Sequence, residues 1–530
     1  MPSAAQAQRE IESIVFHDIY IGATSACFEL DNRAPFHSPA PYAVLLNGEP
    51  VLEDDRNVFS LFGLAPDADY AVTLRMDGSE ATLALHTAAE TCAISARDFG
   101  AAGDGVTDDT AALQRAVCVL PEGGRLVVPK GDYLTGPILL KSHITLELQE
   151  GARLLGRTDK AAYPVLPAMA QDLDGGKAVH FGAFEGLPRD MYASLITAEY
   201  ARDIRIVGPG TLDGNAINAD WWRTFKEDPV ARPRVMFLNR CEGVTLHGVS
   251  VANSPSWHLH PYYSRDISFL DVSVSAPHDS PNTDALDPEC CDGVDIVGCR
   301  FSVGDDCIAI KSGKLDLYKL CPAAASRHTI RNCLMAFGHG AVTLGSEISG
   351  GIKALSVSQC LFKQTDRGLR IKTRRGRGQS CDIDGIEFDN IRMEGVKTPI
   401  VMNMWYRCVD PDGDSEYVQG RAPLPIDERT PRLGRFRFSN MDCLDAQAAA
   451  CYCDGLPERP IDEITFENVR VDFAEDARPA VPSMFTNAPE RCRLGLYFEN
   501  VRRAVLKNVT VTGQVGESVV TRNVDELIAE

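Results

Sequence analysis

One pattern recurs along the middle and end of the chain: apolar, any, apolar, two of any, apolar, any, apolar. It fits Val244/Leu246/Val249/Val251, Ile267/Phe269/Val272/Val274, Val294/Ile296/Cys299/Phe301 and Leu355/Val357/Cys360/Phe362. It continues through Ile386/Phe388/Ile391/Met393, Phe436/Phe438/Met441/Cys443, Ile464/Phe466/Val469/Val471 and Ala504/Leu506/Val509/Val511. An imperfect copy sets His328 ahead of Ile330, Cys333 and Met335. Period two within each half reads as a strand with one buried face, and the two free positions between halves read as a bend. That rules out helical repeats. The column Val249, Val272, Cys299, Cys333, Cys360, Ile391 advances by 23, 27, 34, 27 and 31 residues. Such steps suit one turn of a parallel β-helix plus a variable loop. A propeller blade would need ~40 residues or more per unit, and a β-sandwich would need nine in-phase copies by coincidence. The expected fold is mainly β, a single-stranded parallel β-helix.

Four polar motifs fall at the same spacing: Asn282-Thr283-Asp284, Gly304-Asp305-Asp306, Gly338-His339-Gly340 and Arg370-Ile371-Lys372. One turn per interval would stack three carboxylates, an imidazole and two cations in one patch. Aligning Phe301, Met335 and Phe362 brings Asp305, His339 and Asp366 to one level and Ile308, Val342 and Leu369 to an inward level. Ala309, Thr343 and Arg370 then point outward, as do Lys311, Gly345 and Lys372, because side chains alternate along a strand. Arg370 and Lys372 are expected to face solvent. Crowding three carboxyls raises at least one pKa, so that one can hold a proton while others are charged. A neighbouring imidazole adjusts that balance. Arginine grips a carboxylate with two bonds and lysine as a point charge. Acid–base cleavage of an acidic sugar chain needs such a set. Trp257, His258 and His260 lie just before the cluster and fit either the cleft or the core.

Formal net charge is −21 over 530 residues. With no long basic run, nucleic acid is not an expected partner. An acidic polymer would be repelled unless a local basic cleft received it. Arg367, Arg370, Lys372, Arg374, Arg375 and Arg377 offer one, with no acid among them. Seventeen cysteines are present. Cys299, Cys333 and Cys360 share a column with valines and read as buried hydrophobes. Cys290-Cys291 and Cys451-x-Cys453 lack zinc spacing, so neither metal nor cofactor is expected. No stretch of 18 apolar residues suggests a membrane span. The start of the sequence lacks a basic region followed by an apolar core, so no secretory leader is expected in it. A cytoplasmic protein and a processed periplasmic or secreted form both fit. Oligomeric state is not readable.

Residues 1–90 read as a separate module of short alternating segments and turns. The run from Leu64 to Tyr70 resembles the turn and tyrosine corner of a fibronectin type III sandwich. Such a module serves as a spacer or helps to bind substrate. Residues 91–530 form the second expected domain. There, Gly103 to Thr110 leads into a helix with acids at its positive end. Leu113, Ala116 and Val117 give that helix an apolar face to cover the open end of the coil. The first coil begins at Gly124. The pattern breaks from about Arg157 to Tyr200 and from about Arg407 to Arg435, as inserted segments.

All four motifs, in order and at coil spacing, make residues 92–515 resemble glycoside hydrolase family 28, the polygalacturonases of the pectin-lyase-like β-helix group. Asp98-Phe99-Gly100 followed by Gly103 to Thr110 resembles the group's opening signature. With the fibronectin-like module in front, the chain looks most like bacterial exo-acting members. The resemblance implies a right-handed β-helix and inverting hydrolysis of α-1,4-linked galacturonan, releasing mono- or digalacturonate. It makes Asp305 the general acid, Asp284 and Asp306 the holders of water, and His339 the tuner of the acid. Arg370 and Lys372 would bind a galacturonate carboxylate, with Asn282, Lys311 and Tyr406 also on the substrate; Trp405 is the alternative to Tyr406. Readings left open are endo cleavage, action on rhamnogalacturonan or xylogalacturonan, and a calcium-dependent lyase using Asp305 and Asp306. A pectin-binding β-helix without catalysis is also open.

Overall fold

The computed structural model describes residues 14–171, 178–223, 226–408 and 413–530. The stretch read for a leader falls largely outside them. The chain divides into two compact units, Met1–Glu90 and Thr91–Glu530.

The first unit is an antiparallel sandwich. Strands Phe16–Ile21, Ser25–Leu30 and Val58–Phe62 form one sheet. Strands Glu49–Arg56, His37–Leu46, Asp69–Met76 and Ser79–His86 form the other, in that order. Asn47-Gly48 and Asp77-Gly78 both have positive φ, the backbone that tight hairpins demand. Phe28 and Phe59 stack at 5.0 Å in the core. The Tyr70 hydroxyl accepts the Ala65 N–H at 2.8 Å, which is the tyrosine-corner bond. The unit is a fibronectin type III-like sandwich.

The second unit is a right-handed parallel β-helix built from three ladders. In the first ladder the repeat aligns rung upon rung: Val244, Ile267, Val294, His328, Leu355, Ile386, Phe436, Ile464 and Ala504 each pair with the next. The imperfect copy keeps register, and His328 is buried with Nε2 3.2 Å from the Cys291 carbonyl. Earlier rungs at Gly124–Val128, Ile144–Leu148 and Arg202–Val207 extend the ladder. The second ladder carries the second half of each copy, from Gly131–Thr135 onward. The bend between halves is a left-handed residue: Gly248, Gly298, Asn332, Asn390, Asn440, Asn468 and Asn508 all have φ between 50° and 77°. Glycine and asparagine visit that region at least cost. Asn440, Asn468 and Asn508 also join side chain to side chain along the corner. Inside, Phe388, Phe438, Phe466 and Phe498 stack along the axis.

The third ladder was not legible as a repeat. Its strands are short and mostly without alternation, as in Ile138–Leu139, Ile196–Glu199 and Met236–Asn239. Ile196–Glu199 is one of its rungs, so the first inserted segment ends before Ile196 rather than at Tyr200. Arg432–Leu433 likewise pairs with Asp382–Ile383, within the stretch read as the second insertion. At the amino-terminal end, helix Thr110–Val119 buries Leu113, Ala116 and Val117 in the same core. Asp109 is the N-cap residue of this helix, but its carboxylate makes no capping bond; it takes the N–H groups of Ala102 and Gly103. All 17 cysteines are free thiols. Among the described residues, no helix is long and apolar enough to cross a membrane.

Candidate active site

Four successive rungs of the third ladder carry the polar motifs. Leu286 pairs with Ile308, Ile308 with Val342, and Val342 with Leu369. Two residues before each pairing position lie Asp284, Asp306, Gly340 and Arg367, a single column at the corner of the coil. One residue further back lie Thr283, Asp305, His339 and Asp366. Backbone bonds fix both columns: Ala285 N–H donates to the Asp306 carbonyl, Cys307 to Gly340 and Ala341 to Arg367. Thr283 ties the first motif to the second, its hydroxyl accepting the Gly304 N–H at 3.2 Å.

The carboxylates of Asp284, Asp305 and Asp306 have oxygens within 4.8 Å of one another. Their surroundings differ. Asp306 is fully buried and receives Arg370 Nη1 at 3.0 Å on one oxygen and Lys372 Nζ at 2.8 Å on the other. Burial would push its pKa up, but the two cations win and hold it far below the usual carboxylate range. Burial, then the neighbouring Asp306 charge, pushes Asp305 up despite Lys372. Asp284 is raised further by burial and by Asp287 and Asp305. One carboxyl is thus clamped as an anion while two favour a proton. Because Asp306 already has a protein cation on each oxygen, a metal ion would compete with Arg370 and Lys372 for this cluster.

Gly340 explains how the clamp reaches across two rungs. A Cβ there would stand 2.8 Å from Asp306 Oδ1 and 3.5 Å from Arg370 Cβ. Any side chain would wedge the Arg370–Asp306 bond apart. Thr343, the outward residue on the rung between, stands nearer still to that Cβ through its Oγ1. His339 stands at the mouth, with Nδ1 2.9 Å from Asp366 Oδ2 and its N–H on the Asp305 carbonyl. The Asp366 bond, opposed by burial, raises the imidazole pKa. Asp366 is anchored in turn by Lys397 at 2.6 Å.

These residues line a cleft of about 820 Å³ that also includes Asn282, Lys311 and Tyr406. Asn282 Oδ1 accepts Arg232 Nη2 at 2.7 Å, and the Tyr406 ring lies 5.8 Å from Lys372 Nζ. Trp405, the alternative to Tyr406, is buried and donates Nε1 to Asp454 at 2.7 Å. Trp257 lines the cleft, stacked on Phe184 at 5.7 Å, while His258 and His260 are fully buried.

Two sequence expectations need correction. Arg370, Lys372 and Lys311 do point away from the coil core, but they do not face solvent: they are 7%, 9% and 3% exposed. The covering comes from the hairpin Ala183–Phe184/Leu187–Pro188, from Tyr406 to Cys408 and from Met484. Met484 accepts Arg370 Nη2 through sulfur, and its carbonyl accepts Asn403 Nδ2. The basic run also divides. Arg367 lines the cleft with Arg370 and Lys372, but Arg374, Arg375 and Arg377 do not. Arg375 is buried against Glu458 at 2.6 and 2.9 Å and against three carbonyls, beneath the Trp405 ring. Beyond the strand Arg367–Lys372 the outward alternation that predicted them no longer holds.

Sequence reasoning missed Asp287 and Glu289 beneath the cleft and Glu347 in its lining. Asp287 and Glu289 stand on the rung before Ala309 and Lys311, on the same outer face. Aligning Asp284 with Asp306 sets Asp287 and Glu289 beside Ala309 and Lys311, and would have found both. Glu347, Glu185 and Met484 sit on loops, where no periodicity points to them.

A parallel β-helix with a clamped carboxylate, two proton-holding carboxyls and a basic wall in one cleft defines a class of polysaccharide-cleaving glycoside hydrolases. The sequence pattern of glycosyl hydrolases family 28 matches residues 122–419, and the chain belongs to that family. A probable polygalacturonase of Vitis vinifera is 31% identical over 72% of this chain and 74% of its own length. An exo-poly-α-D-galacturonosidase of Dickeya chrysanthemi is 26% identical over 85% of this chain and 81% of its own. The family 28 exopolygalacturonase of Yersinia enterocolitica shares the fold over 97% of this chain and 98% of its own, with a TM-score of 0.68 at 19% identity.

Proposed function

We propose that the protein hydrolyses α-1,4-galacturonosyl linkages of polygalacturonate from a chain end, with inversion. The observation that carries this is the division of ionisation within one cluster. Asp305 favours its proton and can give it to the glycosidic oxygen. Asp306, held as an anion, and Asp284 hold the attacking water, and Asp284 takes its proton in the fraction of the protein in which Asp284 is ionised and Asp305 still protonated. Both oxygens of Asp306 are occupied by cations, which makes it a poor nucleophile and leaves the attack to water, hence inversion. His339 lies on the rung after Asp305 and stabilises its ionised form once the proton has gone. Arg370 and Lys372 face the cleft beside Arg367, so a uronate carboxylate would meet three cations. Asn282 and Tyr406 add polar edges to the cleft.

Chain-end action rests on the walls. The Phe184–Glu185 hairpin tip and the loop residues Arg407, Cys408, Asp414 and Met484 all line the cleft and add to its walls. The Dickeya relative's name supports the same reading. The test is time-resolved product analysis on polygalacturonate. Mono- or digalacturonate should appear from the first minutes while viscosity falls slowly. An early ladder of intermediate oligomers with a rapid loss of viscosity would mean endo cleavage and end the chain-end reading.

A further inference from the structure

At the floor of the cleft and beneath it lies a second layer of charge that the reaction as described does not use. The outer face of the third ladder carries His260, Asp287 and Glu289, and Lys311 on three successive rungs, and Glu347 joins them from the loop after Gly345. Lys311 Nζ lies 3.3 Å from Asp287 Oδ1, 3.3 Å from Glu347 Oε2 and 4.6 Å from the Trp257 ring centre. His260 Nε2 lies 3.1 Å from Glu289 Oε2. The side chains of Asp287, Glu289 and His260 have no exposed surface. Neither carboxylate oxygen of Asp287 has a hydrogen-bond donor in bonding geometry, and neither has Glu289 Oε1. With Asp284 and Glu347 included, four carboxyls surround Lys311 and Arg234, and Arg232 and Lys372 reach only the outer two, Asp284 and Glu347. Asp287 and Glu289, without exposed surface or a full set of donors, are the carboxyls least able to stay ionised there, so protons must be shared among the inner groups.

We infer that Asp287 and Lys311 are positioning residues for Asp284: Asp287 places a like charge beside the water-activating carboxyl, Lys311 places an opposite one, and their balance sets the pH at which Asp284 becomes a base. This rests on the role given to Asp284 in the proposed function. It also reassigns Lys311, which the sequence had suggested as a substrate ligand, to a role exerted through its buried partners.

The surroundings support the assignment. Asp284 meets Asp287, Asp305, Asp306, Lys311, Arg232, Arg234 and the Cys307 thiol, and its carbonyl holds His258. Asp287 meets Lys311, Arg234, Asp306, Glu289 and Asp284. Burial pushes Asp287 up to about 7 against Lys311, and Glu289 up to about 8. Glu347 goes the other way, to about 2, because Lys311 and Lys372 overcome its burial. Glu347 is therefore the charged partner of Lys311, and Asp287 is left to share a proton with Asp284. Asp306 stays charged throughout, so the acid limb of kcat/KM reports Asp284.

The test is the pH profile of kcat/KM on oligogalacturonates, with melting curves to confirm the fold. Asp287→Asn keeps the shape and removes the like charge, so the acid limb should move down by about one pH unit. Lys311→Met removes the opposite charge, and the limb should move up by a similar amount. Lys311→Arg should leave the limb near its wild-type position. Unmoved limbs, or a Lys311→Met variant whose KM alone rises, would overturn the inference and return Lys311 to the substrate. Infrared spectroscopy of the wild-type protein gives an answer independent of variants that fail to fold. A carbonyl band of a protonated carboxyl should persist above about pH 6, where ordinary carboxyls are ionised; its absence overturns the inference. A wild-type protein that releases no reducing ends from polygalacturonate would instead refute the proposed function, and the infrared band would still be read.

Discussion

Arg375 gives the sharpest test of how the basic run is used. In sequence it belongs with Arg370 and Lys372, and a substrate carboxylate would be its natural ligand. In the structure it is 1% exposed and makes five hydrogen bonds: two to Glu458, and one each to the carbonyls of Tyr417, Gly420 and Ala422. Replacing it with Met leaves the Glu458 carboxylate, itself 4% exposed, without its cation. Breaking a buried pair from one side costs about 3–5 kcal/mol. Each orphaned carbonyl adds ~1 kcal/mol where water does not replace the guanidinium. The expected loss is therefore at least ~3 kcal/mol. It should be centred on the segment from Tyr417 to Ala422, which the guanidinium fastens to the coil. Equilibrium denaturation measures the total, and limited proteolysis shows whether that segment is cut first. Replacing Glu458 with Gln in the same chain removes the stranded charge, so the double variant should recover part of the loss. KM on oligogalacturonates should change little in whatever fraction stays folded. A variant with unchanged stability and a KM raised tenfold would refute the argument and make Arg375 a substrate ligand after all.

Other outcomes follow from the same geometry. Asp305→Asn should lose roughly 10²–10⁴-fold in turnover with the melting temperature nearly unchanged; turnover close to wild type would remove its role as acid. Asp366→Asn takes away the bond that raises His339, so the imidazole should lose its proton at lower pH, read from its proton NMR titration. The same sign governs stability. His339 is raised in the folded protein, so its contribution is complete below the unfolded pKa and fades as pH rises through the folded one; the variant should lack that fading. Lys372→Met frees one oxygen of Asp306 and so should lower kcat as well as raise KM; a pure KM effect would mean that the clamp does not matter to the chemistry. Proton NMR of the first product should show the β anomer, and an α anomer appearing first would contradict attack by water.

The first and second ladders were legible because each strand alternates and each bend needs a left-handed residue. Nine copies stayed in register even where His328 replaced an aliphatic residue. From that register, Asp305, His339 and Asp366 could be set at one level before any coordinates. The third ladder was hidden for a physical reason: rungs such as Ile196–Glu199 are buried on both faces, so no polar alternation marks them. That is also why Asp287 and Glu289 were passed over and why outward-facing was taken to mean exposed. Burial of Arg370 and Lys372 comes from loops far away in sequence, Phe184 and Met484 among them. Arg375 shows the complementary limit, since a run of cations says nothing about which of them meets an acid such as Glu458, 83 residues further along the chain.

The hairpin at Phe184–Glu185 leaves the coil roughly a hundred residues before the first catalytic motif, and it joins the cleft only by lying over it. Under the proposed chain-end cleavage, the cutting edge and the gauge that would measure how much chain is cut are therefore separate parts. The edge is fixed by main-chain pairing between neighbouring rungs and tolerates no added atom at Gly340. The gauge is a loop, and lengthening a loop is inexpensive, about 0.6 kcal/mol for each doubling. Under the same proposal, insertion or deletion at that corner of this chain should change the size of fragment released, while Asp284, Asp305 and Asp306 keep their places.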